Sequence, residues 1–458
     1  MTAGLDGCLD LTDIQGIAFY AYSHHPFARY LLVTFGPDRT ARSAWLAELV
    51  KQVRSADEAR HAHVRHDEPW HLQIALTYRG LEALGLSVAE LEGFPREFVM
   101  GMNHDERTKK LGDPPQKHWQ FGAQQHEPVH ALIMLFGRTQ ADLDTLHASQ
   151  LAALTAAGAK VAHDDRATLQ PGSREHFGFH DGVSQPHLAG GPRTHRDPDP
   201  SLPAGELLLG HRDAYGQTAP SPLVRGFDLG RNGSYLVYRK LSQHVFTFWQ
   251  TLRTQARPLP GENQTDAAIR LGAAMVGRWP GGTPVVVRPA GDRPQDSTEN
   301  DFGYASTDPF GYRCPIGSHM RRANPRDMLP SSTSDSLDEV RKHRIFRRGR
   351  PYGDPLGGGR PWEAEQDDGA ERGLIFVGLC GSLRRQFEFI QQTWLNNPTF
   401  AGLAGETDPM IGDGERRFTL QREPVRRCLV GLPKFTELRG GGYFFLPGVT
   451  ALQWLTER

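Results

Sequence analysis

The stretch CPIGSHMRRANPR, residues 314–326, is the most informative part of this 458-residue chain. It carries one histidine, His319, after Pro315 and before the pair Asn324 and Pro325. A proline suits the first turn of a helix, and a proline also restricts the residue before it, so a helix here should stop soon after the histidine. The pattern predicts a short helix, starting near Pro315, that presents His319 on one face.

Two further segments place charged residues among glycines. The segment GFHDG, residues 178–182, sets Asp181 beside Gly182, and the glycines allow the backbone to come close to a bound group. The segment RRGRPYG, residues 347–353, holds three arginines, which are Arg347, Arg348 and Arg350. Asp-Gly pairs also mark ordinary turns, and arginine runs also form solvated faces, so neither segment is decisive alone.

Composition excludes several classes of protein. Lys and Arg number 52 against 53 Asp and Glu, a net charge of -1 that argues against a nucleic-acid binder. No apolar run approaches the ~18 residues that span a bilayer. The four cysteines, Cys8, Cys314, Cys380 and Cys428, are far apart, which argues against a disulfide framework or zinc site and favours a reducing compartment. The N-terminus has no basic or twin-arginine leader, so we expect a cytoplasmic protein.

Two halves of the chain show the same alternation of strands and helices. Apolar runs predict strands at residues 13–19, 30–35, 72–77 and 131–136, and again at 234–241, 374–377 and 440–447. Helical spacing predicts helices at residues 43–53, 139–157, 245–254 and 383–395. Between them, residues 190–222 are rich in Pro, Gly and Asp. We therefore expect an α+β protein divided into residues 1–215 and 216–458.

Taken in order, residues 178–182, 314–326 and 347–353 resemble the motifs of the dye-decolorizing peroxidases, a family of haem enzymes. Supporting strings are GSYLV at 233–237, MVGRW at 275–279 and GGYFFLP at 441–447. The resemblance runs from about residue 13 to residue 454. It implies two ferredoxin-like modules, with antiparallel sheets and peripheral helices. It also implies that haem is held mainly by the C-terminal half, with the GFHDG loop on the N-terminal module.

The resemblance implies a role for each motif residue. His319 would be the axial ligand of the iron of haem b, with one haem per chain. Asp181 would take and return the peroxide proton, and Arg347 would stabilise the negative charge on the departing oxygen. The other residues expected to contact the haem are Gly182, Val183, Ser184, Asn324, Pro325 and Arg326. Arg321, Arg322 and Arg326 would also supply cations near the haem propionates.

Three assignments stay open in the sequence. His180 is a rival base by its chemistry, since an unperturbed imidazole titrates near ~6.5. Arg348 and Arg350 are rivals of Arg347, and the family usually has an apolar residue where Arg350 stands. A carboxylate should also accept a hydrogen bond from the second nitrogen of the axial histidine. Glu388, on an apolar helix, is the predicted partner, and an exposed Glu on the polar stripe is the alternative.

The expected activity is that of a haem peroxidase that uses hydrogen peroxide to oxidise bulky aromatic donors through a ferryl intermediate. Dyes, phenols and lignin-like compounds are the expected reductants, with no nucleic acid and no membrane as partner. The alternative is a haem-binding or iron-releasing protein on the same fold, which would need His319 but not the pair Asp181 and Arg347. That pair also argues against a related enzyme that acts on chlorite or coproporphyrin-type haem. A homodimer and a cytoplasmic member of bacterial type are compatible with the resemblance.

Overall fold

A nine-stranded antiparallel sheet runs through the computed structural model, which describes residues 9–65, 68–192, 201–414 and 416–457. The strands of the chain are β1 (Phe27–Thr34), β2 (Trp70–Leu76), β3 (Ala131–Gly137), β4 (Lys160–Thr168), β5 (Leu223–Val224), β6 (Phe227–Asp228), β7 (Ser234–Gln243), β8 (Phe346–Arg347), β9 (Arg350–Tyr352), β10 (Gly373–Cys380), β11 (Phe418–Leu420), β12 (Arg427–Leu429) and β13 (Thr436–Leu446). Within the described ranges, every helix is too short or too polar to cross a bilayer.

Helices cover the sheet and fill the loops between its strands. The α-helices are α1 (Arg39–Val50), α2 (Ala56–Arg65), α3 (Tyr78–Ala83), α4 (Arg96–Met100), α5 (Asp105–Leu111), α6 (Gln140–Ala156), α7 (Val245–Gln255), α8 (Gln264–Val276), α9 (His319–Ala323), α10 (Thr333–Arg341) and α11 (Val449–Thr456). A helical segment with π-type hydrogen bonds spans Leu383–Glu388 and Ile390–Leu395. Capping side chains fix where two of these helices begin. Asp38 caps α1, and Thr139 forms a capping box with Asp142 at the start of α6.

The first half of the sheet has the strand order β4-β1-β3-β2. Helix α1 follows β1, and helix α6 lies between β3 and β4, so this half is a βαββαβ unit. Apolar residues of both helices, such as Leu46 and Leu143, join the core with Leu31 of β1 and Ile133 of β3. Burying one apolar stripe of each helix against one face of the sheet stabilises this layer.

The second half repeats that order with β13-β7-β10-β8, and β9 also pairs with β10. The two halves meet where Phe445 of β13 pairs with Leu76 of β2. The prediction of an α+β fold with two ferredoxin-like modules is therefore confirmed. Two short hairpins, β5-β6 and β11-β12, lie outside the large sheet.

The strand predicted at residues 13–19 was wrong, because this segment contains a 3₁₀ turn at Gly16–Ala18. The buried side chain of Gln15 accounts for the difference. Its Nε2 donates to the carbonyl of Ile74 at 2.8 Å, and its Oε1 accepts from the amide of Ile74 at 3.0 Å. The side chain of Gln15 thus makes the hydrogen bonds to the backbone of Ile74 in β2 that a neighbouring strand would otherwise make.

Candidate active site

His319 begins helix α9 and lines a cavity of about 330 Å³, which we call the central cavity and which Asp181 and Arg347 also line. The helix starts later than the predicted Pro315. The amide of Ser318 donates to the carbonyl of Pro315 at 3.0 Å, so these residues form a turn that leads into the helix. The predicted end is correct, since Asn324, before Pro325, is the C-cap residue.

The orientation of His319 is fixed by Asp408, a residue that sequence reasoning missed. His319 Nδ1 lies 2.9 Å from Asp408 Oδ2, and the Asp408 side chain is fully buried. Burial alone would lower the pKa of His319, but the Asp408 carboxylate raises it above its usual range. Burial would raise the pKa of Asp408, but His319 and the amide of Ile411 hold it below its usual range. A hydrogen bond at Nδ1 leaves Nε2 as the nitrogen that can bind a metal.

The prediction that Glu388 is the partner of His319 is contradicted by this geometry. Glu388 is fully buried, as expected, but its carboxylate faces helix α5. Arg107 Nη1 and Lys110 Nζ each donate to Glu388 Oε2 at 2.9 Å, and the Tyr443 hydroxyl donates to Oε1 at 3.1 Å. Two cations from α5 balance the buried charge, so Glu388 belongs to a separate polar network.

Asp181 and Arg347, which also line the central cavity, form an ion pair. Arg347 Nη1 donates to Asp181 Oδ1 at 2.8 Å, and the amide of Gly182 donates to the same oxygen at 2.6 Å. Burial would raise the pKa of Asp181, but these two donors hold it below its usual range. The amide of Arg347 donates to Gln185 Oε1 at 3.1 Å, which ties strand β8 to the segment after the GFHDG motif. The pair is only partly exposed, at 41% for Asp181 and 34% for Arg347.

The other two arginines of the 347–353 segment donate hydrogen bonds to backbone carbonyls of residues 17–25. Arg348 donates to the carbonyls of Ile17 at 2.9 Å and Ala18 at 2.7 Å. Arg350 is almost completely buried and donates to three carbonyls, those of Ala21, Tyr22 and His25. Arg347 is thus the arginine of this segment that contacts Asp181. Arg350, where the family usually has an apolar residue, is buried inside the protein.

The remaining predicted contact residues divide into two sets. The central cavity is lined by Gly182, Val183, Ser184, Asn324 and Arg326, and also by the rival base His180. Pro325 is not among the described lining residues of this cavity, and it serves instead to end α9. Arg326 donates to Asn300 and to the carbonyl of Phe302, so it also braces the loop beneath it.

The expectation that Arg321 and Arg322 supply cations to the cavity was wrong. Both side chains are fully buried. Arg321 donates to the carbonyls of Cys314 and Asp308, and Arg322 donates to those of Trp394, Asn397 and Glu406. These bonds fix α9 to its surroundings. Arg326, the third cation expected near the propionates, does line the cavity, together with four cations that were missed: Arg239, Arg278, Arg344 and Lys434.

The residues present fit a haem group. One imidazole, an acid and a guanidinium line the same cavity, and apolar side chains supply much of the rest, including Phe179, Phe376, Phe387 and Met410. Gly182 has a φ of +85°, and a Cβ atom built on it would meet no atom within 4 Å, so this position leaves open space. That combination of one imidazole nitrogen donor, cations and apolar walls suits an anionic, flat, apolar cofactor.

No model of a protein family matches the chain. Comparison with individual proteins is decisive. The chain is 31% identical to the multifunctional dye peroxidase DyP2 of Amycolatopsis sp. over 93% of its own length and 91% of the relative. It is also 31% identical to a dye-decolorizing peroxidase of Mycena epipterygia, over 89% of its length and 76% of the relative.

The chain belongs to the dye-decolorizing peroxidase family. Solved structures agree with this assignment. An ancestral D-type dye-decolorizing peroxidase matches 98% of this chain with a TM-score of 0.83 and 27% identity, covering 99% of that protein. A dye-decolorizing peroxidase in complex with 2,6-dimethoxyphenol matches 98% of this chain and 100% of its own, with a TM-score of 0.83 and 25% identity. The predicted family and the predicted haem peroxidase that uses hydrogen peroxide to oxidise aromatic donors are therefore confirmed.

Proposed function

We propose that His319 is the axial ligand of one haem b per chain and that Asp181 and Arg347 activate hydrogen peroxide on the opposite face. The observation that carries this proposal is the 2.8 Å hydrogen bond between Arg347 and Asp181 in the cavity that His319 also lines. Asp181 and His319 line the same cavity, and the charge of His319 helps to lower the pKa of Asp181, which supports the proposal. When bound, haem supplies an iron that binds peroxide and exchanges electrons.

Asp181 is suited to move the peroxide proton. Its Oδ1 accepts from Arg347 and from the amide of Gly182, which leaves Oδ2 to take the proton and return it to the departing oxygen. Because its pKa is held low, Asp181 stays ionised and able to accept a proton in mildly acidic solution. Arg347 keeps its charge at all relevant pH values and stabilises the negative charge that develops when the O–O bond breaks.

The partner of His319 and the cations that line the cavity also support the proposed haem site. Asp408 holds the Nδ1 proton of His319, which fixes the ring and increases its donor strength towards a metal. Arg239, Arg278 and Lys434 would balance the haem propionates, a role that replaces the one expected of Arg321 and Arg322. The alternative of a haem carrier is disfavoured, because a carrier needs no distal acid-arginine pair.

Four finer points also belong to this proposal. We infer that the aromatic donors include phenols and bulky dyes, in keeping with the relative that was solved with 2,6-dimethoxyphenol. A reducing, cytoplasmic location is supported by Cys314, Cys380 and Cys428, which form no disulfide among the described residues. Cys8 lies outside the described residues. A division of the chain near residues 215 and 216 would make β7 the first strand that the second module contributes to the large sheet. A homodimer remains a prediction that light scattering can test.

The experiment that tests the proposed function is the absorption spectrum of haem-reconstituted protein before and after one equivalent of hydrogen peroxide. The wild type should bind haem with a histidine-ligated ferric spectrum that peroxide changes. His319→Ala should lose the haem or that ligand signature, and added imidazole should restore it. His343→Gln, which removes a buried histidine outside the cavity, is the matched control. A His319→Ala spectrum identical to that of the wild type would contradict the axial assignment.

A further inference from the structure

The backbone that carries Asp181 is a tight hairpin, residues 173–182, which we call the distal hairpin. Its two arms are joined where the amide of Asp181 donates to the carbonyl of Ser173 at 2.9 Å. A second bond joins the amide of Glu175 to the carbonyl of Phe179 at 3.1 Å. Asp181 therefore stands at the open end of the hairpin, where small changes in the arms would displace its carboxylate.

The side chain of Glu175 lies inside this hairpin. Its Oε2 accepts from the amide of Phe177 at 2.9 Å, and its Oε1 accepts from the amide of Phe179 at 3.0 Å. The carboxylate thus satisfies two amides that the turn leaves without a backbone partner. Carboxylates that accept backbone amides make some of the stronger hydrogen bonds in proteins, so Glu175 should hold the shape of the hairpin.

Glu175 also connects the hairpin to the central sheet. Gln243 Nε2, at the end of strand β7, donates to Glu175 Oε2 at 2.7 Å. The tip is anchored independently, since Phe177 and Phe179 are buried in the core and Trp249 Nε1 donates to the carbonyl of Phe177 at 3.0 Å. The tip of the hairpin is therefore fixed by apolar packing, and the Glu175 carboxylate joins the turn to strand β7. Further hydrogen bonds run from Arg174 to the carbonyl of Gly178 and from the amide of His180 to the carbonyl of Pro280.

Glu175 lies where two cavities meet. It lines the central cavity and also a second cavity of about 410 Å³, the outer cavity, which includes Tyr20, His24 and Ser173. Asp181 and Arg347 line both cavities as well, so the ion pair and Glu175 form part of the boundary between them.

The charge of Glu175 is coupled to that of Asp181. Burial and, to a smaller extent, the negative charge of Asp181 raise the pKa of Glu175 to about 7, against the effect of its three N–H donors. Other charged or titratable groups that line the same cavities include Arg174 and His180 of the same hairpin, Arg347 of strand β8, Arg239 of strand β7, and Arg278. Gln243, from strand β7, is neutral.

We propose that Glu175 is the positioning residue for Asp181 and that its charge state regulates the reaction with peroxide at the distal pair. The proposal rests on the function proposed above for Asp181. As an acceptor, Glu175 holds the hairpin in the shape that places the Asp181 carboxylate against Arg347. As a charge, it adds a second negative group close to the place where the departing oxygen becomes negative, which opposes bond cleavage.

The sign of the pH effect follows from this arrangement. Below about pH 7 Glu175 is mostly neutral and only Asp181 is negative. Above that pH, Glu175 ionises, and repulsion should slow the reaction with peroxide. Glu175→Gln stays neutral throughout, so its rate should lack the decline near neutrality. In acid its rate should lie below that of the wild type, because the amide nitrogen of Gln cannot accept from Phe177 or Phe179. Glu175→Ala removes the acceptor altogether and should lower the rate about 10- to 100-fold at every pH, since misplaced catalytic groups cost that much.

The test is stopped-flow measurement of the peroxide reaction of the haem-loaded enzyme, as a function of pH, for wild type, Glu175→Gln and Glu175→Ala. Glu206→Gln is the control, because Glu206 is a buried carboxylate that is paired with Arg385 away from both cavities. The ferric spectrum of each variant confirms that haem is bound. Equal profiles for wild type and Glu175→Gln would overturn the charge effect, and a wild-type rate in Glu175→Ala would overturn positioning.

A double variant separates this inference from the function on which it rests. If Glu175 acts through Asp181, Glu175→Ala should cause no further loss when Asp181 is already Asn. A full additional loss in that background would contradict the proposed route through Asp181. Full activity of Asp181→Asn alone would instead contradict the proposed role of Asp181, whatever Glu175→Ala does.

Discussion

The Nδ1 atom of His319 lies 2.9 Å from Oδ2 of Asp408, a residue 89 positions later in the chain. Asp408 is fully buried, and the amides of Met410 and Ile411 donate to its other oxygen at 2.9 Å each. This carboxylate is therefore fixed before it meets the imidazole. A fixed, ionised partner at Nδ1 would give His319, as the proposed axial ligand, the anionic character that stabilises a more oxidised metal.

Replacing Asp408 by Asn should raise the reduction potential of the bound haem iron. The amide keeps the size of the side chain but removes the negative charge that strengthens His319 as a donor. Loss of such a partner typically costs 10- to 100-fold in activity, so the reaction with peroxide should slow by about 10-fold. Spectroelectrochemistry and stopped-flow absorbance measure the two effects. Glu388→Gln is the control, and a potential shift in that variant but not in Asp408→Asn would reverse our assignment.

Glu388→Gln should lower stability instead. The change leaves Arg107, which is 6% exposed, and Lys110 without their shared carboxylate. Breaking a buried ion pair from one side costs about 3 kcal/mol or more in the free energy of unfolding. Urea denaturation measures this loss. The surface variant Glu48→Gln, which breaks only the exposed pair with Lys51, should change stability by less than about 1 kcal/mol. Equal losses in both variants would contradict this account.

The sequence predicted the central strands because burial on both faces leaves a continuous apolar pattern. Strand β3 is buried at every residue, and its prediction at 131–136 was confirmed. Strand β4 was missed, since Lys160–Thr168 is polar and alternately exposed, as expected at the edge of a sheet. Such a strand is defined by its pairing with β1, which local sequence does not encode.

Residues of the candidate site could be predicted from the sequence only where a single motif identifies both the residue and its role. Asp181 and His319 follow from their segments by resemblance, and the structure places both at the central cavity. Asp408 has no such signal, because its role depends on a loop that folds back beneath α9. Glu388 was correctly expected to need a buried partner, but that partner comes from α5, far away in the chain. The pairing of a buried carboxylate with a cation depends on tertiary contacts, which the local sequence does not show.

Arg347→Gln should shift the acid limb of the activity profile to higher pH. Arg347 helps to hold the pKa of Asp181 below its usual range, so Asp181 remains a base in acid. Without the guanidinium, burial dominates, the pKa of Asp181 rises, and Asp181 becomes protonated at higher pH. The measurement is kcat/KM for peroxide from acidic to neutral pH. An acid limb that stays in place would mean that another group, His180 included, supplies the base.

Arg350→Met should destabilise the protein without changing the chemistry of the folded enzyme. The carbonyls of Ala21 and His25 would lose this donor, whereas the carbonyl of Tyr22 still accepts from the amide of His25. Each unsatisfied buried group costs about 1–3 kcal/mol, so a loss of about 2 kcal/mol or more is expected. Thermal and urea unfolding measure it, with the exposed Arg384→Met as control. A stable variant whose haem-bound form reacts more slowly with peroxide would contradict the structural role of Arg350.

The central claim, that Asp181 and Arg347 activate peroxide opposite His319, is tested most directly by stopped-flow mixing of haem-loaded Asp181→Asn with hydrogen peroxide. Asn keeps the shape of the side chain but cannot accept the peroxide proton. The account predicts a ferric spectrum like that of the wild type and a peroxide reaction slowed by about 100-fold or more, the usual contribution of general base catalysis. A variant with the same ferric spectrum that reacts at the wild-type rate would contradict it.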